Sequence, residues 1–223
     1  RRQRQMCIRD RFRRPASLSP KRQEAIEGGV DPALKNQAAH ESAAALLRET
    51  RENARPEVVE RVLRLVEREG LEDLAALWSG AEPASLPGAL WRLYVLHTWV
   101  QRDTDEVRRL FELGQSTAPG LTYLVGFSDP PTIDSMRVTL DAILSGAFTG
   151  DLSVALSRAA AVAMLAAYGS AHAADSPASR TELARSFGTP ATPEELTKRA
   201  DRLLKTGEAL NEAARSAAAG TLA

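Results

Sequence analysis

Apolar side chains in this chain recur every three or four residues, between residues that start and stop helices. The last long segment is typical: Thr192, Pro193 and Glu195 supply a cap, a proline and an acidic first turn. One side of it is then apolar, through Leu196, Ala200, Leu203, Leu204 and Leu210. No clear strand is predicted, since the most strand-like piece, residues 121–127, is too short to found a sheet. The sequence therefore predicts an all-α fold.

Residues 31–223 are predicted to form one helical domain, which start and stop signals divide into separate helices. Helices are predicted at residues 32–52, 56–70, 71–78, 86–102, 104–113, 132–145, 149–171, 179–187 and 193–218. The first of them is expected to bury Leu34, Ala38, Ala45 and Leu46. The helices at 86–102 and 149–171 are apolar on most sides, which predicts a central place for both. We expect a single irregular bundle of eight or nine helices.

Residues 1–30 do not share this pattern. The first eleven, RRQRQMCIRDR, resemble the conceptual translation of a transposase-type sequencing adapter, so we expect a non-native segment. The other interpretation is a natural basic arm that contacts nucleic acid or anionic lipid. Residues 12–30 are polar and contain Pro15 and Pro20, which predicts a largely disordered segment.

The adapter-like segment alters the net charge of the chain and contains its cysteine. Lys and Arg number 29 in the whole chain, as do Asp and Glu, but residues 1–11 hold five of the basic residues and one acidic residue. The remainder therefore has a formal charge of −4, which does not indicate a strongly basic nucleic-acid binder. Cys7, the one cysteine, also lies there, so cysteine chemistry is excluded from residues 12–223.

Motifs of the common enzyme and metal sites are absent. His40, His97 and His172 have neither HExxH nor ExxH spacing, so helical zinc and di-iron sites are not predicted. The sequence also lacks GxxxxGK[ST], GxGxxG and GxSxG. We expect no catalytic residue, no metal and no cofactor, although a triad assembled from distant residues is not excluded by spacing.

Aromatic residues and a histidine cluster on the helix at 86–102. The spacing of His97 places it on the apolar stripe with Leu93 and Val100. It is either a ligand or proton-handling group in a pocket, or a histidine at the edge of the core with one hydrogen bond. Trp91, Tyr94 and Trp99 could line a cavity or pack in the core. Packing is the favoured interpretation for both, and a pocket near Trp91, Tyr94 and His97 is kept as the alternative.

Two other segments could contact a partner. Residues 115–131 are predicted to form a long apolar loop, which exposes Tyr123 and Phe127 for docking or folds them onto the core. Residues 180–205 resemble a helix-turn-helix, in which Lys198, Arg199 and Arg202 would touch DNA. Glu194 and Glu195 stand in the turn that would face phosphate, so DNA binding is disfavoured.

The segments LPGALWRLYVLHTWVQRD, at residues 86–103, and SGAFTGDLSVALSRAAA, at residues 145–161, resemble a family of uncharacterised helical proteins from actinobacteria. The resemblance covers about the middle half of the chain. It implies a cytoplasmic bacterial protein and carries no activity, cofactor or catalytic residue. Residues 159–174 contain no Asp, Glu, Lys or Arg but are too few to span a bilayer, so we expect a buried helix and no membrane.

Three functions are compatible with these patterns. The first is a non-enzymatic, helical protein-interaction or regulatory domain that binds a protein partner or itself. The second is a DNA-associated regulator that uses residues 180–205. The third is a small-ligand binder or enzyme with the pocket near Trp91, Tyr94 and His97.

Overall fold

A computed structural model of the chain describes residues 31–52, 76–125, 132–187 and 192–223. A helix ends at Trp78. Eight further helices follow the order α1 (Pro32–Glu52), α2 (Leu86–Arg102), α3 (Thr104–Thr117), α4 (Pro119–Val125), α5 (Ile133–Thr149), α6 (Leu152–Asp175), α7 (Pro177–Phe187) and α8 (Pro193–Ala218). These ranges contain no strand, so the predicted all-α bundle of eight or nine helices is confirmed. The predictions for residues 1–30 and for helix 56–70 lie outside the described residues.

Helix α6 forms the centre of the bundle. It packs most extensively against α8 and α3, and also contacts α4 and α5. Most of its buried side chains are alanines, whose small size lets the neighbouring backbones come close. A Cβ on Gly169 of α6 would lie 1.8 Å from the Leu110 carbonyl oxygen of α3. The central place predicted for this helix is therefore correct.

Helix α2 is less central than its apolar sequence predicted. Its buried face includes Leu93, Leu96 and Val100, but Val95 is 44% exposed and both tryptophans are only half-buried. The apolar residues on its second side are left open because α8 covers α2 only in part. This uncovered side becomes the wall of a groove.

The loop predicted at residues 115–131 is wrong over the part that the structure describes. Helix α3 continues to Thr117, and α4 occupies Pro119–Val125. Gly114 does not stop α3, because it is a contact glycine: its Cβ would lie 2.0 Å from the Leu165 carbonyl oxygen of α6. Val125 is buried and Leu121 packs against the core, so this part of the segment folds onto the bundle.

Four further helix boundaries differ from the prediction. Helix α5 runs on to Thr149, and α6 begins after Asp151, whose carboxylate accepts hydrogen bonds from the amides of Ser153 and Val154. Helix α6 ends at Asp175 rather than near residue 171, and α7 begins at Pro177 rather than near residue 179.

Helix α1 buries a different face from the predicted one. Ala39, Ala43, Leu47 and Thr50 are buried, whereas the predicted Leu34 is 60% exposed. The first two turns of α1 are exposed, and no residue that the structure describes covers Leu34 or Ala38 there. Farther along, α2 and α5 contact α1, and the Trp78 indole Nε1 donates to the Ser42 hydroxyl at 2.9 Å. These neighbours select the face one residue away from the most apolar one.

Among the described residues, one helix is long and apolar enough to cross a membrane. It is α6, with 24 residues, longer than the uncharged run in the sequence suggested. In its most apolar window, 67% of the residues are buried by the rest of the bundle. Length and composition alone are weak evidence for a membrane span, because the core helix of a soluble protein can be equally long and apolar.

Candidate functional site

A groove of about 520 Å³ lies between α2 and α8, and we call it the α2–α8 groove. Its apolar lining consists of Trp91, Val95, Leu96, Trp99 and Leu203. Residues 91, 95 and 99 of α2 stand one helical turn apart on the same side of that helix. Part of the apolar surface that predicted a central place for this helix thus lines an open groove.

The other side chains of the groove are mostly cationic. Arg92 contributes from α2, and Arg199 and Arg202 contribute from α8, with Ser79 and Thr206 at the margin. No acidic residue appears in this lining, which is drawn from residues that the structure describes. The groove therefore combines an apolar surface with three guanidinium groups.

The three arginines differ in how they are held. Arg92 donates to the Gly88 carbonyl oxygen at 2.9 Å, and its partial burial lowers the pKa of the guanidinium from its ordinary value. Arg202 donates to the Lys198 carbonyl oxygen at 3.3 Å and is exposed. Arg199 instead forms an ion pair with Glu106 of α3. Within the described part of the chain, Arg92 and Arg202 have no carboxylate partner.

Tyr94 and His97 do not line the groove, although the sequence grouped them with Trp91. Tyr94 is buried, and its ring stacks on Trp91 with centroids 6.3 Å apart and planes at 27°. It supports one wall from behind. His97 is turned toward α5, because residues 93, 97 and 100 share the face of α2 that packs inside the bundle.

His97 belongs to a polar cluster between α2 and α5. Its Nε2 lies 2.7 Å from Asp141 Oδ1, and Gln101 Nε2 donates to the same oxygen at 2.7 Å. Nearby, Arg137 Nε donates to the Thr104 hydroxyl at 2.9 Å, and that hydroxyl donates to the Val100 carbonyl oxygen at 2.6 Å. We call the side chains of His97, Gln101, Thr104, Arg137 and Asp141 the His97 cluster. The hydrogen-bond partners of His97 include no hydroxyl nucleophile, and its position is that of a histidine at the edge of the core.

We expect the Asp141→Ala variant to lose about 1–3 kcal/mol of unfolding free energy, because it leaves the buried Nε2 of His97 without its carboxylate. The free energy would be measured by urea unfolding followed by circular dichroism. Asp201→Ala is the control, since its exposed pair with Lys205 should contribute less than about 1 kcal/mol. Equal losses of unfolding free energy in the two variants would contradict the interpretation that the His97 cluster stabilises the contact between α2 and α5.

The segment that resembles a helix-turn-helix places its basic residues apart. Lys198 pairs with Glu194 at 2.7 Å, whereas Arg199 and Arg202 lie in the groove. Thr192 and Glu195 form a capping box at the start of α8, and the hydrogen bonds from Thr192 lower the pKa of the Glu195 carboxyl. The first turn of α8 therefore keeps its negative charge, which opposes contact with phosphate. Residues 188–191, which form the turn, lie outside the described residues.

The remaining predicted contact residues cannot be assigned to the groove. Tyr123 belongs to α4, but its side chain lies outside the described part, as does all of Phe127. Trp91, Trp99, Arg199 and Arg202 are candidate contact residues in the sequence, but nothing in the sequence places them together. The amphipathic pattern of each helix can be read from the sequence, but whether α2 and α8 lie side by side depends on how both pack in the bundle around α6.

A second cavity, of about 680 Å³, lies where the ends of α1, α5, α6 and α8 meet. It includes Arg51 and Asp151, but the Asp151 carboxylate already caps α6, and hydrogen bonds from Ser153 and Val154 lower its pKa. Among the described residues, no group of three or more His, Cys, Asp or Glu side chains could hold a metal ion.

No family model, curated protein or solved structure matches this chain.

Proposed function

We propose that this chain is a non-enzymatic protein-interaction domain that binds a helical segment of a partner protein in the α2–α8 groove. The observation that carries the proposal is the joint presence of two half-buried tryptophans and three arginines in this one groove. Trp and Arg are enriched among the residues that contribute most to protein interfaces. Other exposed large apolar residues, such as Leu34, Val138 and Val154, lie on three other helices.

The dimensions of the groove favour a helix as the occupant. The lining residues of α2 extend from residue 91 to residue 99, a rise of about 12 Å, and those of α8 extend from residue 199 to residue 206, a rise of about 10 Å. Two walls of about two helical turns each can accept the apolar face of an amphipathic helix, with anchors spaced by three or four residues. The volume of 520 Å³ would also suit a small molecule, which makes that class the alternative to test.

The first experiment uses a labelled helical peptide with leucines on one face and only alanine and glutamine elsewhere. Fluorescence anisotropy measures its binding to the full chain. We expect Val95→Lys to weaken binding at least about tenfold, because it places a charge among the anchors of the groove. Val154→Lys is the matched control: Val154 is 53% exposed, comparable to the 44% of Val95, and lies outside the groove. It should leave the affinity unchanged.

Three other measurements make the result decisive. Trp91→Ala should weaken peptide binding as well, and circular dichroism must show that both variants remain folded. Light scattering reports whether the chain forms a dimer that Val95→Lys dissociates, which would make the occupant a second copy and overturn the proposal of a separate partner. Absence of peptide binding, or equal loss in Val154→Lys, would also overturn it.

A further inference from the structure

We infer that the partner segment is acidic, with carboxylates placed beside its apolar anchors to meet Arg92 and Arg202. This inference rests on the proposed function, since it assigns the chemistry of the occupant of the same groove. It goes beyond it because an apolar helix with neutral or basic flanks would satisfy the proposed function equally well.

Charge complementarity carries the inference. Arg92, Arg199 and Arg202 line the groove, and the described lining residues include no Asp or Glu. The chain beyond residue 11 has a formal charge of −4, so a groove whose described charged residues are all cationic departs from the average surface. A planar guanidinium presents donors that match a carboxylate in pairs, and hydrogen bonds between two charged groups are stronger than neutral ones.

The three arginines are not equally available. Arg199 is held by Glu106, a carboxylate that is itself only 19% exposed, so this pair is part of the wall. Among the residues that the structure describes, Arg92 and Arg202 donate only to backbone carbonyl oxygens of their own helices, which leaves further N–H donors for a ligand. Lys198 and Lys205, the lysines near Arg202, are paired with Glu194 and Asp201 at 2.7 Å each. Arg92 and Arg202 are therefore the two cations that select a carboxylate.

An acidic helix fits these surroundings better than nucleic acid. Single strands bind to aromatic side chains on which bases stack, along a basic path for phosphates. Here Val95, Leu96 and Leu203 line the same groove as the tryptophans, and these aliphatic side chains suit aliphatic anchors rather than bases.

The test compares three peptides with the same leucine face, flanked by glutamate, glutamine or lysine. We expect the glutamate peptide to bind about tenfold more tightly than the lysine peptide at low salt, and the ratio to fall toward about two at roughly 0.5 M salt. Arg92→Gln and Arg202→Gln should each weaken the glutamate peptide about three- to fivefold and leave the glutamine peptide within about twofold. Lys198→Gln is the control, because Lys198 lies outside the groove lining.

The outcomes separate this inference from the proposed function. Equal affinity for the glutamate and lysine peptides would overturn the inference and leave the proposed function standing, whereas no binding of any peptide would overturn both. A preference for glutamate that survives in both arginine variants would place the attraction elsewhere, for example at the five arginines of residues 1–11. Tighter binding of a ten-residue oligothymidine, lost in the arginine variants, would assign the groove to nucleic acid instead.

Discussion

Replacing Gly169 with alanine is expected to cost about 3 kcal/mol or more of unfolding free energy. The new Cβ would lie 1.8 Å from the Leu110 carbonyl oxygen and 2.6 Å from its carbonyl carbon, both backbone atoms of α3. A flexible side chain could move aside, but here α3 and α6 must separate. Separation also loosens the reciprocal contact at Gly114, where a Cβ would lie 2.0 Å from the Leu165 carbonyl oxygen.

Urea unfolding and thermal melts measure this effect. For a chain of this size, a loss of about 3 kcal/mol should lower the melting temperature by roughly 6–12 °C. Gly146→Ala is the matched control, because Gly146 also lies within a helix, α5, and a Cβ added there would meet nothing within 4 Å. Alanine should be neutral or stabilise that helix by up to about 1 kcal/mol. A loss below about 1 kcal/mol in Gly169→Ala would contradict the close approach of α3 and α6.

The Phe111→Ala variant is expected to lose about 3–5 kcal/mol. Phe111 is fully buried in the main core on α3, the helix that packs along α6. Because alanines make up much of the buried surface of α6, few long side chains there can relax into the space that phenylalanine leaves. The cost of a cavity depends on such relaxation, so we expect a value in the upper part of the range for large-to-small substitutions.

The same unfolding experiment checks it, with Val138→Ala as the control. Val138 is 66% exposed, and its truncation should change stability by no more than about 0.5 kcal/mol. Phe111→Leu is a graded variant that should lose less than Phe111→Ala, because it keeps part of the buried volume. A loss below about 1.5 kcal/mol for Phe111→Ala would show that the bundle collapses into the space, in disagreement with an alanine-rich, tightly packed centre.

Much of the fold could be predicted from local signals. The start of α8 is one case: Thr192, Pro193 and Glu195 act over one turn, and the structure forms the capping box there. Gly114 is the opposite case. Its sequence context suggested a helix stop, but the residue continues the helix and serves the contact with α6. A glycine that ends a helix and one that admits a neighbouring backbone have the same letter, and only the neighbour distinguishes them.

The candidate site could be predicted only in pieces. Trp91 and Trp99 were recognised as either core or pocket residues, and Arg199 and Arg202 as cations of a different motif. The groove exists because these residues of α2 and α8, which are about 100 positions apart in the chain, lie side by side in the folded bundle. Tyr94 and His97, which share a helix with the tryptophans, were turned away by the same helical rotation that put residues 91, 95 and 99 on one side.

The helical class follows from local sequence, because a period of three to four residues and the caps at helix ends depend on neighbours within a few positions. The sequence also fixes which side chains can contribute to a site. Packing between helices sets the rest: α6 rather than α2 is central, a different face of α1 is buried, and aromatic and cationic side chains share a groove. Those outcomes depend on contacts between distant segments, where a glycine or alanine at one crossing sets how closely two backbones can approach.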